Sequence, residues 1–411
     1  MSQKKELYIG IDLGYERAMV SLFHTGMEEP ETISTVSGEE KYQIPTAIFA
    51  GRKGNIYYGD EAVKREESSD GEYFDGLYAQ ALAEKEGFLY HDYLVQYIRR
   101  LIRLKERYDL KGMEMRLAIA VPEITSDSIE VMEYVRGQLG FSTEQFLVMD
   151  YGESFFSHTY HQDRSIWMHD TMLFDFSKDR IELYTLHCEG HTGIQNVTTQ
   201  KKEWAVSLPA AKDLQIRDEY FSNIIREAMQ KKIVSGVYFI GDGFDGGWLK
   251  ESLRVLGPNK RVFLGKNLYT RGACYAAYRK NHPEGWKFFY DCDYKLQGEI
   301  SMKVRKDGEP VYVKLVEEGR NWFAPVDSFH LICSGDPVLE LLVRQKRSRN
   351  AKTVTFPLED LPDRPAKTIR LKVMIRPCSG QQVSVLLTDD GFGELFASSK
   401  KSWEFSLTFG K

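Results

Sequence analysis

The residues of this chain best suited to phosphate chemistry stand near its amino-terminal end, around Asp12. The apolar runs at residues 8–11 and 18–23 flank a polar turn that contains Gly14, and this pattern predicts a β-hairpin. A glycine in such a turn lets backbone N–H groups approach phosphate oxygens that a Cβ would obstruct. Asp12 supplies the kind of carboxylate that Mg²⁺ accepts alongside water and phosphate. Because Asp-x-Gly is also an ordinary turn, the hairpin predicts a phosphate site only if partner segments follow it.

Partner segments do follow, in a consistent order. They are a proline-led strand and a Gly-Asp turn at 44–49 and 58–62, a strand ending in Val-Pro at 117–122, a helix ending in Gly-Phe at 135–141, an apolar segment ending in Asp150, an acidic segment at 175–180, a glycine turn at 237–244 and a helix of small residues at 271–277. This order resembles the actin-like ATPase superfamily, and most closely the seventy-kilodalton heat-shock chaperones, across roughly the first 280 residues.

The resemblance implies a fold and a set of ligands. The fold is an α/β actin-like ATPase domain (ribonuclease H-like) over residues 1–284, with lobes at about 1–150 and 151–284, and ATP or ADP with Mg²⁺ in the cleft between them. The residues of its nucleotide loops are Gly10, Asp12, Gly14, Tyr15, Lys178, Gly241, Asp242 and Gly243. Asp12 and Asp175 are the expected Mg²⁺ ligands, and the candidate catalytic acids are these two together with Asp150.

The loops also depart from the family pattern. Tyr15 and Glu16 replace two threonines of the first loop, and the Glu16 carboxylate would repel a triphosphate. The second loop carries Phe-Ser-Lys at 176–178 where the family has glycines, and residues with a Cβ do not readily adopt a close phosphate cradle. Lys178 and Arg180 offer positive charge to an anion, although Ser-Lys-Asp is also common turn chemistry. We therefore expect a degenerate cleft.

A subdomain of the chaperones has little room in this chain. Only about 40 residues separate the second loop from a helix predicted at 218–231, whereas the chaperones carry there the subdomain that clamps the adenine side. This shortening is a second reason to expect weak nucleotide binding or none.

The sequence pattern changes after about residue 283. Apolar and polar residues alternate at 300–304, 311–315, 339–343 and 369–373, which predicts a β-sandwich over residues 285–411. Residues 308–319 and 383–395 resemble parts of the chaperone peptide-binding sandwich, and the helical lid that follows there is expected to be missing. Most of one aromatic group is expected in the sandwich core, with any exposed subset forming a peptide groove: Trp286, Phe288, Phe289, Tyr290, Trp322, Phe323, Phe329 and Trp403.

Composition narrows the class of protein. A length of 411 residues predicts two or three domains, and a net charge of −5 argues against nucleic acid as the main partner. No apolar run reaches the roughly 18–20 residues of a membrane span. Five scattered cysteines indicate a reducing compartment, so we expect a cytoplasmic protein. Five histidines lie close in sequence, and we expect them to be unrelated rather than a metal site: His158, His161, His169, His187 and His191.

We therefore predict a heat-shock-chaperone-like protein with a degenerate nucleotide cleft. It would be a pseudo-ATPase or weak nucleotide binder, and its β-sandwich would bind a protein or peptide partner. One alternative is a working ATP-dependent chaperone, in which ATP hydrolysis is the activity. The other is an actin-like scaffold or filament protein, which needs a self-complementary surface. The identity of the partner, the oligomeric state and the pathway stay open.

Overall fold

The chain divides into two compact units. The computed structural model describes residues 5–36, 38–108, 110, 112–177, 179–190, 193, 195–206, 212–306, 308–323, 328–333, 338–346, 348, 350–365 and 367–409. The N-terminal unit is Met1–Tyr290 and the C-terminal unit is Asp291–Lys411. No helix in these described ranges is long and apolar enough to cross a bilayer.

The first lobe of the N-terminal unit is built on a five-strand path. Its strands are β1 (Glu6–Leu13), β2 (Arg17–His24), β3 (Glu31–Thr32), β4 (Ile44–Pro45), β5 (Ile48–Gly51), β6 (Ile56–Tyr58), β7 (Gly71–Phe74), β8 (Glu114–Val121) and β9 (Phe146–Asp150). Its helices are α1 (Asp60–Val63), α2 (Leu77–Ala83), α3 (Leu89–Arg103), which continues into a 3₁₀ turn at Leu104–Arg107, and α4 (Ser126–Leu139). The main sheet has the order β3-β2-β1-β8-β9, in which β2 is antiparallel to β1 and β8 is parallel to it. Because this sheet is covered on both faces, β1 is a continuous buried run.

The second lobe repeats the same plan. Its helices are α5 (Tyr151–Thr159), α6 (Arg164–Trp167), α7 (Leu214–Ala228), α8 (Lys250–Leu256) and α9 (Leu268–Asn281), with a 3₁₀ turn at Asp242–Phe244. Its strands are β10 (Asp170–Ser177), β11 (Arg180–Glu189), β12 (Gln195–Ala205), β13 (Val234–Ile240), β14 (Arg261–Leu264) and β15 (Phe288–Asp291). The order β14-β13-β10-β11-β12-β15 has β11 antiparallel to β10 and β13 parallel to it. Strand β10 therefore takes the place in the second sheet that β1 takes in the first.

Two helices cross closely where the lobes meet. A Cβ built on Gly272 of α9 would lie 2.1 Å from the carbonyl oxygen of Ser154 in α5, so only glycine permits this crossing. The Ser154 hydroxyl donates to the carbonyl oxygen of Tyr269 at 2.6 Å. The small residues predicted in this helix thus serve close packing.

The aromatic residues at 286–290 belong to the N-terminal unit, contrary to their expected place in the sandwich core. Trp286 stacks on His161 with ring centroids 5.1 Å apart, and Tyr290 stacks on Phe156 at 5.2 Å. Because Phe156 of α5 and His161, which follows α5, supply the ring partners, the chain divides after Tyr290 rather than at the predicted 284/285 position.

The C-terminal unit consists of antiparallel strands around one core. They are β16 (Gly298–Lys306), β17 (Glu309–Val316), β18 (Phe329–Cys333), β19 (Val338–Gln345), β20 (Ala351–Pro357), β21 (Ile369–Pro377), β22 (Gln382–Asp389) and β23 (Ser402–Thr408). One sheet has the order β17-β16-β19-β20 and the other β18-β21-β22-β23. Buried side chains of both sheets, among them Ile300, Leu341, Val385 and Trp403, form a single cluster. Arg364 donates to both carboxylate oxygens of the buried Asp389 at 3.0 and 2.9 Å, which fixes the chain after β22.

Candidate functional site

The two aspartates expected to bind Mg²⁺ occupy equivalent strands, and each accepts a hydrogen bond from a tyrosine. Asp12 lies near the end of β1, and its Oδ1 accepts the hydroxyl proton of Tyr151 at 2.7 Å. Asp175 lies near the end of β10, and its Oδ2 accepts the hydroxyl of Tyr269 at 3.1 Å. Tyr151 is the first residue of α5, and Tyr269 is the second of α9. The same acid–tyrosine pair therefore occurs twice, once at the end of β1 and once at the end of β10.

The two tyrosine rings stack on each other. Their centroids are 3.8 Å apart and their planes differ by 8°. A continuous path consequently runs from Asp12 through both rings to Asp175, and we call these four residues the tyrosine stack. It occupies the point where the resemblance places the phosphates and the metal ion.

The protonation of the tyrosine stack follows from its burial. Burial raises the pKa of Asp12 to about 7, with a further increase from the Asp175 charge and an opposing effect of the Tyr151 hydroxyl. Burial also raises the pKa of Asp175 to about 7, and the Glu182 carboxylate adds to this effect. Burial is also the main reason why the pKa values of both tyrosines lie well above their usual value. Their hydroxyls therefore keep their protons and act as donors.

The glycines of the first loop pack against neighbouring elements. A Cβ on Gly10 would lie 2.1 Å from the carbonyl oxygen of Thr270, whose hydroxyl donates to the Gly10 carbonyl at 2.8 Å. The Gly14 N–H donates to the carbonyl oxygen of Arg17 at 2.9 Å. A Cβ on Gly14 would lie 3.2 Å from the Tyr151 hydroxyl, which therefore fills the space beside the turn.

Tyr15 points away from the tyrosine stack. Its ring stacks on Tyr78 of α2 at a centroid distance of 5.9 Å, and its carbonyl oxygen accepts the Thr46 hydroxyl at 2.8 Å. The residue that replaces threonine in the first loop thus anchors the turn to the first lobe.

Phe176 fills the space beside the glycine turn at 237–244. A Cβ on Gly243 would lie 2.2 Å from the Phe176 ring, and one on Gly241 would lie 2.4 Å from its carbonyl oxygen. Gly241 has a φ of 99°, which favours glycine in any case. Phe176 is only 2% exposed and packs on Phe244 and Trp248. These glycines are accounted for by packing, and Lys178 lies outside the described residues.

Asp242 joins the two lobes at the surface. Arg17 donates to its Oδ2 at 2.9 Å and Gln43 to its Oδ1 at 3.2 Å, both from the first lobe. Lys266 of the second lobe donates to Oδ1 at 3.0 Å and also bonds Asp245. Burial opposes ionisation of Asp242, but the Lys266 ammonium and the other donors hold its pKa below the usual value. An ionised Asp242 therefore forms polar contacts with both lobes, and we call its contacts with Arg17, Gln43 and Lys266 the surface clasp.

Asp150 has a structural part as the N-cap of α5. Its Oδ1 accepts the backbone N–H of Glu153 at 2.7 Å, which satisfies a donor of the first helical turn. The sequence placed this residue beside the expected cleft, and the structure shows that it starts the helix that carries Tyr151.

Three of the five histidines form hydrogen bonds with neighbouring protein groups. Across the described ranges, no three His, Cys, Asp or Glu side chains are grouped to hold an ion. His161 contacts the carbonyl oxygen of Ser157 and accepts from Arg279, His169 bonds Ser235, and His187 bonds Asp170. Burial lowers the pKa of His158 to about 3. His191 lies outside the described residues.

A cavity of about 770 Å³ lies elsewhere in the second lobe. It is lined by α7 and by the segment from Gly246 to Glu251, including Asp218, Arg226 and Trp248. Asp218 accepts the N–H groups of Glu251 and Ser252 at 2.7 and 2.9 Å and thus starts α8. None of the residues of the tyrosine stack lines this cavity.

Tyr151 and Tyr269 are the site residues that sequence reasoning missed. Both stand in segments that the resemblance singled out, directly after Asp150 and two residues before Arg271. The available signal was an aromatic residue near the start of both α5 and α9, because the first turn of each helix faces the expected ligand.

Two family descriptions cover most of the chain. Residues 29–293 match "Family of unknown function (DUF5716) C-terminal", and residues 295–409 match "Domain of unknown function (DUF8552)". No curated protein matches the chain. Among solved structures, a non-polymerising mutant of MamK bound to AMPPNP is similar at 13% identity, with a TM-score of 0.41 and coverage of 67% of this chain and 99% of that chain.

Proposed function

The chain belongs to the family described as "Family of unknown function (DUF5716) C-terminal", and we propose that it is an actin-like scaffold protein that does not hydrolyse ATP. In this proposal the N-terminal unit is a pseudo-ATPase whose two lobes are held together, and the C-terminal unit is a chaperone-like β-sandwich that binds a protein or peptide partner. The observation that carries the proposal is the tyrosine stack between Asp12 and Asp175.

The duplicated topology supports the actin-like assignment. Both lobes combine a three-strand antiparallel meander with two parallel strands, in the same order about β1 and β10. Helices α5 and α9 follow the last parallel strand of their respective halves and cross at Gly272. Matching aspartates at the ends of β1 and β10 are then the pair that an ancestral nucleotide site would have used.

The energetics of the tyrosine stack favour loss of nucleotide binding. A Mg²⁺ ion that bound Asp12 Oδ1 and Asp175 Oδ2 would displace two hydroxyl donors, and moving either tyrosine aside would separate the two stacked rings. Leaving a buried polar group unpaired costs about 1–3 kcal/mol, and an aromatic pair contributes about 0.5–1.5 kcal/mol beyond its buried area. Phe176 would also have to leave the space beside Gly243. These costs reduce nucleotide affinity by several orders of magnitude, since about 1.4 kcal/mol is a factor of ten.

The proposed partner binding by the C-terminal unit is supported by large apolar side chains that are exposed there. Tyr312, Ile332 and Leu395 are 59, 54 and 77% exposed. Exposed aromatic and aliphatic residues on a small β unit are typical of protein-binding surfaces.

The proposal is tested by titration calorimetry of the full chain with ATP and ADP, with and without Mg²⁺. We expect no binding heat up to millimolar nucleotide. The double variant Tyr151→Ala/Tyr269→Ala opens the stack, and Tyr15→Ala removes a tyrosine outside it as the matched control. Circular dichroism of each variant verifies folding. Micromolar, Mg²⁺-dependent binding by the unaltered chain would overturn the proposal.

A further inference from the structure

Strand β17 is an edge strand whose side chains are open on both faces. It pairs with β16 alone in its sheet, and every residue from Glu309 to Lys314 is exposed. Val311 and Val313 are each 38% exposed and Tyr312 between them is 59% exposed. Proteins usually protect such edges with charge, proline or a bulge, because unpaired backbone groups recruit other strands. In β17 these features stand at the two ends, with Glu309 and Pro310 before the centre and Lys314 and a register shift after it, and the centre itself is Val-Tyr-Val.

A proline fixes which backbone groups of β17 face outward. Antiparallel pairs alternate between hydrogen-bonded and non-hydrogen-bonded, and Pro310 has no N–H, so its pair with Arg305 is of the second kind. The adjacent pair of Val311 with Val304 is then hydrogen-bonded towards β16. By the same alternation, Tyr312 and Lys314 direct their N–H and C=O groups away from β16.

This pattern is self-complementary, and we propose that two copies of the chain associate by antiparallel pairing of their β17 strands about Tyr312. In that register each Tyr312 exchanges two backbone hydrogen bonds with its counterpart, and each Lys314 N–H donates to the Pro310 carbonyl of the other copy. Each Val311 stands opposite the other copy's Val313 in a non-hydrogen-bonded pair, where side chains are closest. Because Pro310 has no N–H, the carbonyl oxygen of the opposite Lys314 accepts no bond from the other copy and is left to bond water.

The other edge of the same sheet lacks these properties. β20 carries Lys352, Thr353 and Thr355 as exposed side chains, and its Phe356 stacks on Phe405 of β23 at 4.4 Å. Polar residues and the contact with the opposite sheet give this edge no apolar face for a second copy. A twofold pairing also needs the same patch on both partners. A second copy supplies Val-Tyr-Val automatically, whereas an unrelated peptide would need a similar sequence.

The size of the patch sets the strength of the dimer. The six open residues Glu309 to Lys314 are far fewer than the roughly 20–30 residues a side of a standard interface. β17 pairing alone therefore gives a weak dimer, with a Kd on the order of 100 µM. The inference concerns the chain's own association and does not rest on what the cleft binds.

The test is sedimentation equilibrium of the full chain over a concentration series that brackets this Kd. Val311→Lys or Val313→Glu alone is expected to weaken the dimer at least tenfold, because each places a charge against a valine. An equimolar mixture of the two variants is expected to recover association at low salt, since Lys at 311 then faces Glu at 313. Thr355→Lys on β20 is the control and leaves the dimer unchanged. A chain that stays monomeric at millimolar concentration, a dimer insensitive to both variants, or a mixture without recovery would each overturn the proposal.

Discussion

The two lobes carry the same acid at the same strand position but surround it differently. Across the ladder, Asp12 stands opposite Met19, whereas Asp175 stands opposite Glu182. Asp12 is 6% exposed in an apolar setting, and Asp175 is only partly buried. Glu182 is in turn bound by Lys201 at 3.3 Å. A duplicated fold thus keeps the positions of its acids while their cross-strand neighbours differ, and burial is the main cause of the raised pKa of both.

The glycines show the same divergence. Gly10 of the first lobe corresponds, two residues before the acid, to the buried Leu173 of the second. The first lobe therefore uses absent side chains to bring α9 close to β1, and the second fills its sheet with bulky ones. The following experiments would break or sharpen this comparison.

The largest effect is expected for Gly10→Ala. Its new Cβ would lie 2.1 Å from the Thr270 carbonyl oxygen, which is backbone and cannot move aside. We expect a loss of at least about 3 kcal/mol of unfolding free energy, measured by urea denaturation. Gly137→Ala in α4 is the matched control, because its Cβ meets nothing within 4 Å and alanine raises helix stability by about 0.5–1 kcal/mol. Equal stability of Gly10→Ala and the unaltered chain would refute the packing role.

The next effect concerns pH. An Asp12 pKa of about 7 in the folded chain exceeds the ordinary value of 3.8, so the folded state binds the proton more tightly. The contribution of Asp12 to the free energy of unfolding is therefore full below about pH 4, decreases as the pH rises to about 7 and is level above it. We expect Asp12→Asn to remove up to about 4 kcal/mol of this decrease, at about 1.4 kcal/mol per pKa unit.

Asp175→Asn is expected to act in the same direction with a smaller magnitude, because solvent reaches Asp175. The effects of Asp12→Asn and Asp175→Asn are measured as unfolding free energies at several pH values. Asp70→Asn, at an exposed acid, is the control. A pH profile that both variants share with the unaltered chain would contradict the assigned burial of the acids.

Removal of the tyrosine hydroxyls ranks third. Tyr151→Phe keeps the ring stack but withdraws the 2.7 Å hydrogen bond to Asp12, and we expect a cost of about 1–3 kcal/mol at pH 8. Tyr269→Phe withdraws a 3.1 Å bond to a less buried acid, so its cost should be smaller. Guanidinium denaturation measures the loss of unfolding free energy in both variants and shows which loss is larger. Tyr15→Phe, at a tyrosine outside the stack, is the control. The reverse order would show that the apolar setting of Asp12 does not govern the difference.

The smallest effect is expected at the surface clasp. Arg17 and Asp242 are 47 and 45% exposed as side chains, so water and salt screen their contact. We expect Arg17→Ala to cost about 1 kcal/mol or less, and the cost to vanish in high salt. Thermal denaturation at low and high ionic strength measures it. A larger cost that persists in salt would make the clasp, rather than the tyrosine stack, the main link between the lobes.

The secondary structure of the N-terminal unit was largely readable from local pattern. The hairpin of β1 and β2 follows from two apolar runs about a Gly-containing turn, and the helix of small residues is α9. The helix predicted at 218–231 is α7, which starts earlier at Leu214 because Asp213 accepts the N–H groups of Gln215 and Ile216. An N-cap is a local signal that the apolar spacing alone did not include.

The sequence predicted which acids belong to the candidate site but not which side chains they contact. Asp12 and Asp175 come together as their order implied, yet their partners, Tyr151 and Tyr269, are 139 and 94 residues away in the chain. Whether a glycine serves a ligand or a neighbouring helix depends on such distant contacts. Gly10, Gly241 and Gly243 were therefore assigned to a nucleotide, although tertiary packing also requires them.

The stacked rings of Tyr151 and Tyr269 have an optical consequence. Two phenols held face to face at 3.8 Å absorb near-ultraviolet light as a coupled pair, and because each ring stands near the start of a different helix, a movement of α5 against α9 would uncouple them. The contribution of this pair to the near-ultraviolet circular dichroism is thus an intrinsic gauge of the spacing between α5 and α9, and it needs no added label.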